Sequence, residues 1–267
     1  MRLAYLMLAL GICAACGEGP PTPLTRAAGT GDARQVQALL SQGADPNATD
    51  GAGGSALIAA AREGHVGVMR VLIKGGADVN QRDARFSRWT PLVHAIHKRQ
   101  GAAARLLLDA GAEVDAEMHG GATPLIFAAA YGEAAIVEDL LARGADPRHQ
   151  TADGVTALTN AAGGGPVFDV TDGPRIGSCN VDTVEALLRH APDLEMPATF
   201  WSRAARFLGR SKDCREGFAL LARRPASGAS GSGPDQREGQ RGDRELPARD
   251  PQAARETAQP GDGPQRH

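Results

Sequence analysis

The feature that most constrains this chain is a repeat of about 33 residues that runs through most of its length. Five leucines mark the repeat, at spacings of 33, 35, 33 and 33 residues: Leu24, Leu57, Leu92, Leu125 and Leu158. An alanine follows each leucine after three residues, and an aliphatic pair begins fifteen residues after each of the first four. Gly-Ala-Asp or Gly-Ala-Glu then closes each of those four units. A fixed period of this length indicates stacked units that bury their apolar faces only against their neighbours.

Each unit carries signals for two short helices. Thr-Pro-Leu occurs at residues 22–24, 90–92 and 123–125, where threonine can cap a helix and proline suits its first turn. The alanines allow close approach between helices, and Gly31, Gly64 and Gly132 stand where the chain turns into the second helix. This pattern resembles the ankyrin repeat. The resemblance implies an all-α solenoid of helix-turn-helix units that binds other proteins.

The resemblance covers residues 22–224 as five recognisable units plus an irregular C-terminal capping unit at 199–224. Arg99 stands where the second and fourth units have glycine, which predicts a strained or shifted turn. An insertion at 163–180, rich in turn formers, interrupts the fifth unit and should loop out between its helices. Residues 225–267 hold one large aliphatic side chain, Leu246, so we predict a disordered tail.

The first fifteen residues have the pattern of a signal peptide, because Arg2 precedes an apolar run that ends in small residues. Cys16 follows that run, and the site resembles the lipidation motif of bacterial lipoproteins; residues 16–21 would form a linker. Cys13 stands where such motifs usually have Leu, Val or Ile, so cleavage that releases a soluble protein is the alternative. The expected location is the periplasm or the outer membrane, with membrane contact only through this anchor.

Composition and motifs give little support to catalysis, cofactors or nucleic-acid binding. The formal net charge is -2, and no basic stripe is present, which argues against a nucleic-acid partner. His94 and His97 lie three residues apart, as a metal pair would, but no third ligand is evident. Asp169 and Asp172 lie in the insertion without an identifiable base or nucleophile. We therefore predict no metal, no cofactor and no enzymatic activity.

The resemblance also implies contact residues for a protein partner. In the ankyrin family the concave surface is formed by the loops before each inner helix and by the last turn of that helix. Carried over by position, the contact residues are Arg62, Glu63, Phe86, Trp89, His97, Lys98, His119 and Tyr131. Truncating Phe86 and Trp89 to alanine should then weaken binding with little change in melting temperature. The alternative is that both aromatic side chains fold back onto neighbouring loops.

Two cysteines remain once the signal segment and Cys16 are set aside. Cys179 ends the insertion and Cys214 lies in the capping unit. An even pair in an oxidising compartment predicts a disulfide, and two free thiols are the alternative.

Taken together, these features predict a monomeric, non-catalytic module of the bacterial cell envelope that binds one protein partner, whose identity the sequence does not encode. An immunity-like or accessory role fits such a module. A structural tether between a lipid-anchored N-terminus and another envelope component is the alternative, and an enzyme is a third class with no positive support.

Overall fold

A computed structural model describes residues 21–51, 53–84, 88–163 and 179–196, together with Ala219 and Leu221. Within these residues each repeat pairs an inner helix with an outer helix. The inner helices are α1 (Pro23–Gly29), α3 (Ala56–Glu63), α5 (Pro91–His97), α7 (Pro124–Tyr131) and α9 (Ala157–Gly163). The outer helices are α2 (Ala33–Ser41), α4 (Val66–Lys74), α6 (Gly101–Asp109), α8 (Ala134–Ala142) and α10 (Val181–His190). The described residues otherwise contain turns and an isolated antiparallel bridge between Thr49 and Ser55.

The repeats stack in chain order. Each inner helix packs against the inner helix of the next repeat, and each outer helix packs against the next outer helix. The repeat leucines form the centre of the core, since Leu57, Leu92, Leu125 and Leu158 are at most 1% exposed. The alanine three residues beyond each leucine is equally buried, which lets the inner helices approach closely. The predicted all-α ankyrin solenoid is therefore confirmed.

Polar caps begin most of the inner helices. Thr22 Oγ1 accepts a hydrogen bond from the Thr25 backbone N–H at 3.0 Å, and Thr156 Oγ1 accepts one from the Thr159 N–H at 3.1 Å. Each bond satisfies an N–H group that the helix itself leaves unpaired. Thr123 departs from this pattern, because its buried hydroxyl has no hydrogen-bond partner among the described residues.

A turn precedes each inner helix after the first, and we call these turns fingers. A backbone hydrogen bond closes each finger: Asp50 N–H to Gly54 O (2.9 Å), Asp83 to Trp89 (3.0 Å), Met118 to Ala122 (2.9 Å) and Thr151 to Val155 (3.0 Å). The finger of repeat three is two residues longer than the other three, which accounts for the 35-residue spacing in the sequence.

A second row of hydrogen bonds joins each repeat to the next at the turn after the outer helix. Asn47 Oδ1 accepts from the Asp78 N–H at 2.7 Å, and Asn80 Oδ1 accepts from the Glu113 N–H at 2.9 Å. One repeat further on, a carboxylate takes the place of the amide, since Asp115 Oδ1 accepts from the Asp146 N–H at 3.1 Å. We call this row the inter-repeat ladder.

Ion pairs join the later repeats. At the next ladder position Arg148 binds both carboxylate oxygens of Asp193 at 2.6 Å. The outer helices of repeats three and four are linked by Arg105 Nε to Asp139 Oδ2 at 2.7 Å. A second such link joins Arg143 to Asp109 at 2.6 Å. Because these side chains are largely exposed to solvent, such pairs contribute little to the stability of the fold.

Several sequence-based predictions concern residues outside the described ranges. These are the signal segment 1–15, Cys16, residues 164–178 of the insertion, most of the capping unit and the tail 225–267. Leu221 of the capping unit is described; it is 8% exposed and belongs to the same hydrophobic core as Leu187. No helix among the described residues is long and apolar enough to span a membrane.

Candidate protein-binding surface

An aromatic cluster lies between the finger of repeat three and the inner helices α5 and α7. Its indole, Trp89, is 5% exposed and makes edge-to-face contacts with three rings among the described residues. The ring centroids of His94, His97 and Phe127 lie 5.3, 5.1 and 5.1 Å from that of Trp89. We call this set, with Asp83 and Tyr131, the repeat-three cluster. Aromatic pairs in this geometry contribute about 0.5–1.5 kcal/mol each beyond burial.

Two hydrogen bonds tie the polar members of the cluster together. His94 Nε2 bonds to Asp83 Oδ2, and both side chains are at most 3% exposed. His97 Nδ1 and the Tyr131 hydroxyl are joined by a bond of 2.6 Å. Burying a polar group without a hydrogen-bond partner costs free energy. These two bonds reduce that cost for His94 and His97.

Burial also sets the protonation of His94. Desolvation lowers the pKa of His94 below its ordinary value, and the positive charges of Arg62 and Lys98 lower it further. The hydrogen bond and the charge of Asp83 act in the opposite direction without overcoming burial. At neutral pH the imidazole is therefore neutral, and its Nε2–H donates to the Asp83 carboxylate.

The predicted contact residues fall into three groups in the structure. Trp89, His97 and Tyr131 are buried in the repeat-three cluster, where they contact one another or the same neighbours. Arg62 and Lys98 are partly exposed, and Glu63 and His119 are exposed. Phe86 lies outside the described residues.

The burial of Trp89 corrects one expectation from the sequence. The sequence predicts that truncation of Trp89 leaves the melting temperature nearly unchanged, as for a side chain presented to a partner. Trp89 instead packs internally, with edge-to-face contacts to His94 and His97 of α5 and to Phe127 of α7. For Trp89 the structure thus supports the alternative in which the side chain folds back onto its neighbours, and removing it should destabilise the fold.

The two histidines considered as a metal pair serve different partners. His94 binds Asp83 of the finger, whereas His97 binds Tyr131 of α7. Across the described ranges, no three His, Cys, Asp or Glu side chains are grouped so that they could hold a metal ion.

Repeat three also contains two arginines in the left-handed region of backbone space. Arg88 has φ 66° and Arg99 has φ 57°, whereas glycine occupies the equivalent position in neighbouring repeats. The strained turn predicted at Arg99 is therefore confirmed. Left-handed backbone costs a non-glycine residue about 1–2 kcal/mol, so these positions need support from their surroundings.

The support at Arg99 comes from the next repeat. At the equivalent Gly64, a β-carbon would lie 2.2 Å from Gln100 Oε1, so the glutamine side chain would have to move to admit a larger residue. The side chain that would face Arg99 in the same way is Glu133, and its Oε1 accepts a hydrogen bond from Arg99 Nε at 2.6 Å. Where repeat two has a close contact between Gly64 and Gln100, repeat three therefore has an ion pair between Arg99 and Glu133.

Sequence reasoning missed Asp83 and Phe127 as members of the cluster, and it considered His94 only as a metal ligand. A signal for Asp83 existed, because it aligns with Asp50 at the start of the preceding finger. The Asp50 carboxylate caps its own finger, accepting from the Gly54 N–H at 3.0 Å. Nothing in the spacing shows that the Asp83 carboxylate bonds to His94 of α5.

The C-terminal end of the described array contains a buried cysteine. Cys179 is 4% exposed and disulfide-bonded, and its sulfur lies 2.7 Å from the Ala162 carbonyl oxygen. Cys214, its predicted partner, lies outside the described residues.

Comparisons with known proteins agree with this architecture. A family model of ankyrin repeats matches three times, at residues 8–83, 24–118 and 83–151, which together exceed half of the chain. An L-asparaginase of Dirofilaria immitis is 33% identical over 140 residues, covering 52% of this chain and 23% of that protein. The neurogenic locus Notch protein of Drosophila melanogaster is 38% identical over 116 residues, which is 43% of this chain and 4% of the relative. A Notch homologue of Xenopus laevis is 30% identical over 189 residues, covering 70% of this chain and 7% of the relative.

The chain thus spans less than a quarter of each of these relatives. The stacked helix pairs, the repeat register and the family matches lead to the same conclusion: the chain belongs to the ankyrin-repeat family.

Proposed function

We propose that this protein-interaction module binds one protein partner through the surface around repeat three. The proposal rests on one observation: repeat three differs from the other repeats at several positions. Repeat three has the long finger, both left-handed arginines and the buried Asp83–His94 pair. Strain and buried polar networks of this kind are typical of functional positions, because packing alone would not select them.

The proposed contact surface consists of the exposed side chains around the repeat-three cluster. Arg62, Lys98 and the exposed Arg88 supply positive charge near the finger, and Glu63 and His119 lie at neighbouring contact positions. The buried Trp89, His97 and Tyr131 then act as a rigid base beneath these groups, which lowers the entropy cost of binding. Phe86 stays a proposed contact residue on the grounds of its position in the finger.

We propose further that the protein has no enzymatic activity. The ankyrin family is generally non-catalytic, and the cluster residues with catalytic chemistry are buried and bonded to one another. The match to an L-asparaginase covers 23% of that protein and does not carry its activity to this chain.

A charge-reversal pair tests the binding surface. The variant Arg62→Glu/Lys98→Glu changes the proposed surface, and Arg70→Glu/Lys74→Glu makes the same change on exposed positions of α4. Tagged proteins are used to capture partners from envelope extract, and the affinity of the recovered partner is then measured. We expect the wild type and the α4 variant to retain one stoichiometric partner.

The surface variant should bind that partner about 30-fold more weakly, equivalent to about 2 kcal/mol. Equal weakening in both variants would point to nonspecific charge, and unchanged affinity in both would place the contact elsewhere. Recovery of cell-wall material in place of a protein would favour the alternative function, a structural envelope tether.

The cellular location is part of the same proposal. The N-terminal pattern supports export, and Cys16 supports a lipid anchor in the periplasm or outer membrane. Fractionation of cells producing the wild type and Cys16→Ala tests both points. Recovery of the wild type with membranes and of the variant in the soluble periplasm is expected; cytoplasmic recovery of both would contradict export.

We also propose that Cys179 pairs with Cys214. Support comes from the disulfide-bonded state of Cys179 and from the cysteine count, since Cys13 and Cys16 belong to the signal region. The loop of about 36 residues would restrict the unfolded chain by roughly 3–4 kcal/mol. Peptide mapping without reductant should recover the 179–214 pair, whereas two alkylatable thiols at these positions would remove it.

A further inference from the structure

We propose that the outer face of the first two repeats docks on a membrane surface of anionic phospholipid and thereby orients the array on that membrane. For its place in the cell the proposal rests on the proposed lipid anchor at Cys16. It concerns a different face from the proposed protein-binding surface around repeat three.

The first observation is a row of exposed positions along the outer helices. In each outer helix these positions lie five and two residues before, and two residues after, the first residue of the aliphatic pair. Spacings of three and four residues place them on one face of the helix. We call this face the outer stripe. Its members in α2 and α4 are all exposed: Arg34, Gln37, Ser41, Gly67, Arg70 and Lys74.

The second observation is that charge changes sign along the outer stripe. The stripe has one positive charge on α2 and two on α4, it is neutral on α6, and it has one net negative charge on each of α8 and α10. No acidic residue occurs anywhere in α2 or α4. The charged members in the later helices are Arg105 and Asp109 of α6, Glu138 of α8, and Asp182, Glu185 and Arg189 of α10. An anionic surface therefore attracts the N-terminal end of the stripe and repels the C-terminal end.

The third observation is that the stripe cations of the first two repeats have no acidic partner. In the later repeats such cations are paired, as Arg105 is with Asp139. Among the described residues, Arg34, Arg70 and Lys74 take part in no ion pair.

The acidic groups closest along the stripe already have partners. Asp32, which precedes α2, accepts a hydrogen bond from the Gln35 N–H at 2.9 Å and so caps the helix. Asp109 of α6 binds Arg143 at 2.6 Å. The three cations of α2 and α4 are thus available to an external anion.

The proposed anchor favours phospholipid as that anion. Thr22 lies six residues beyond Cys16, a separation that a fully extended chain covers in at most about 22 Å. A lipid on Cys16 would therefore hold the first repeat close to the bilayer. This closeness matters because physiological salt screens the attraction beyond about 8 Å. Phospholipid head groups present many phosphates in one plane, and arginine and lysine bind phosphate well.

Binding to vesicles tests the proposal without the anchor. The full chain carrying Cys16→Ala is mixed with vesicles of phosphatidylcholine, or with vesicles of an equal mixture of phosphatidylcholine and phosphatidylglycerol. The ratio of the two affinities cancels any contribution from the apolar N-terminal segment, which meets both kinds of vesicle. We expect a preference for the anionic vesicles that added salt abolishes. Equal affinity for both kinds of vesicle would overturn the proposal.

A pair of variants locates the contact on the chain. Arg70→Gln/Lys74→Gln should reduce the preference about 30-fold, because each cation at an anionic surface contributes about fivefold. The matched control, Arg148→Gln/Arg189→Gln, makes the same change in charge toward the C-terminal end of the array and should leave the preference unchanged. An equal loss in both variants would show that net charge alone determines binding, and this would refute docking through α4.

Capture from envelope extract distinguishes lipid from an acidic protein. If Arg70→Gln/Lys74→Gln loses a stoichiometric protein but keeps its preference for anionic vesicles, the face belongs to a protein and the lipid proposal is wrong. Loss of the vesicle preference with the captured protein retained supports docking on lipid. The two proposals can therefore fail separately.

Lysine acetylation maps the same contact without any substitution in α4. The chain has three lysines, Lys74, Lys98 and Lys212, and the first two lie on the two proposed surfaces. Anionic vesicles should slow the acetylation of Lys74 several-fold and leave the rate at Lys98 unchanged, and neutral vesicles should slow neither. Equal protection of Lys74 and Lys98, or no protection of Lys74, would contradict docking through the outer stripe.

Discussion

Truncation of Trp89 gives the most direct test of the packing around repeat three. The indole is 5% exposed and contacts three aromatic rings at centroid distances of 5.1–5.3 Å. Trp89→Ala removes that buried surface and leaves a cavity, which typically costs about 3–5 kcal/mol. It also exposes the Asp83–His94 pair to water. Because a domain's whole stability is about 5–15 kcal/mol, a loss near 4 kcal/mol should be unmistakable.

Urea unfolding followed by far-ultraviolet circular dichroism measures the loss. Trp89→Phe keeps an aromatic ring and should cost about 1–2 kcal/mol. Comparing it with Trp89→Ala separates the loss of the indole from the loss of most of the side-chain volume. His119→Ala, an exposed position in the next finger, should stay within about 0.5 kcal/mol of the wild type. Because repeat three lies mid-array, its weakening should also broaden the transition as the flanking repeats uncouple. A loss below about 1 kcal/mol for Trp89→Ala would refute the packing described above.

Three further predictions concern single side chains. Thr183→Val should raise the free energy of unfolding by about 1 kcal/mol in a urea titration, because it replaces a buried hydroxyl without a described partner at a site where Val68 stands in repeat two. Thr22→Ala should cost about 1 kcal/mol, seen as faster amide exchange in α1, because it removes the cap bond to Thr25. His94 should make stability depend on pH. Its folded pKa is lowered, so the unfolded chain binds more protons below about pH 6.5, and the stabilisation present above that pH is lost on acidification. Urea midpoints across this range should fall in the wild type and stay level in His94→Gln.

The architecture could be predicted from the sequence because residues at the same position of each repeat are buried in the same way. Leu57, Leu92 and Leu125 recur at the same point of each unit, and the structure buries each of them. The strained turn at Arg99 was also predictable, since glycine at the equivalent positions shows which backbone conformation the turn requires. These inferences need only local chemistry and a repeated pattern.

The interior of repeat three was not predictable in the same way. Trp89 keeps the register of Gly54 and Ala122, three residues before the repeat leucine, so its position in the repeat does not reveal that its side chain is buried. The Asp83–His94 bond joins residues eleven apart through a side-chain direction that no periodicity specifies. Arg88 was predictable as a left-handed residue, because Gly53, Gly121 and Gly154 stand at the same position four residues before the repeat leucine, but the sequence analysis did not compare these positions.

The groups that link successive repeats change along the array, so the N-terminal and C-terminal links should respond differently to salt. Asn47 and Asn80 use neutral amides, which ionic strength barely affects. Arg148, Arg105 and Arg143 instead hold the later repeats through charges that dissolved ions screen. Rising salt should therefore destabilise the C-terminal repeats before the N-terminal ones. At high ionic strength the array should begin to unfold from its C-terminal end.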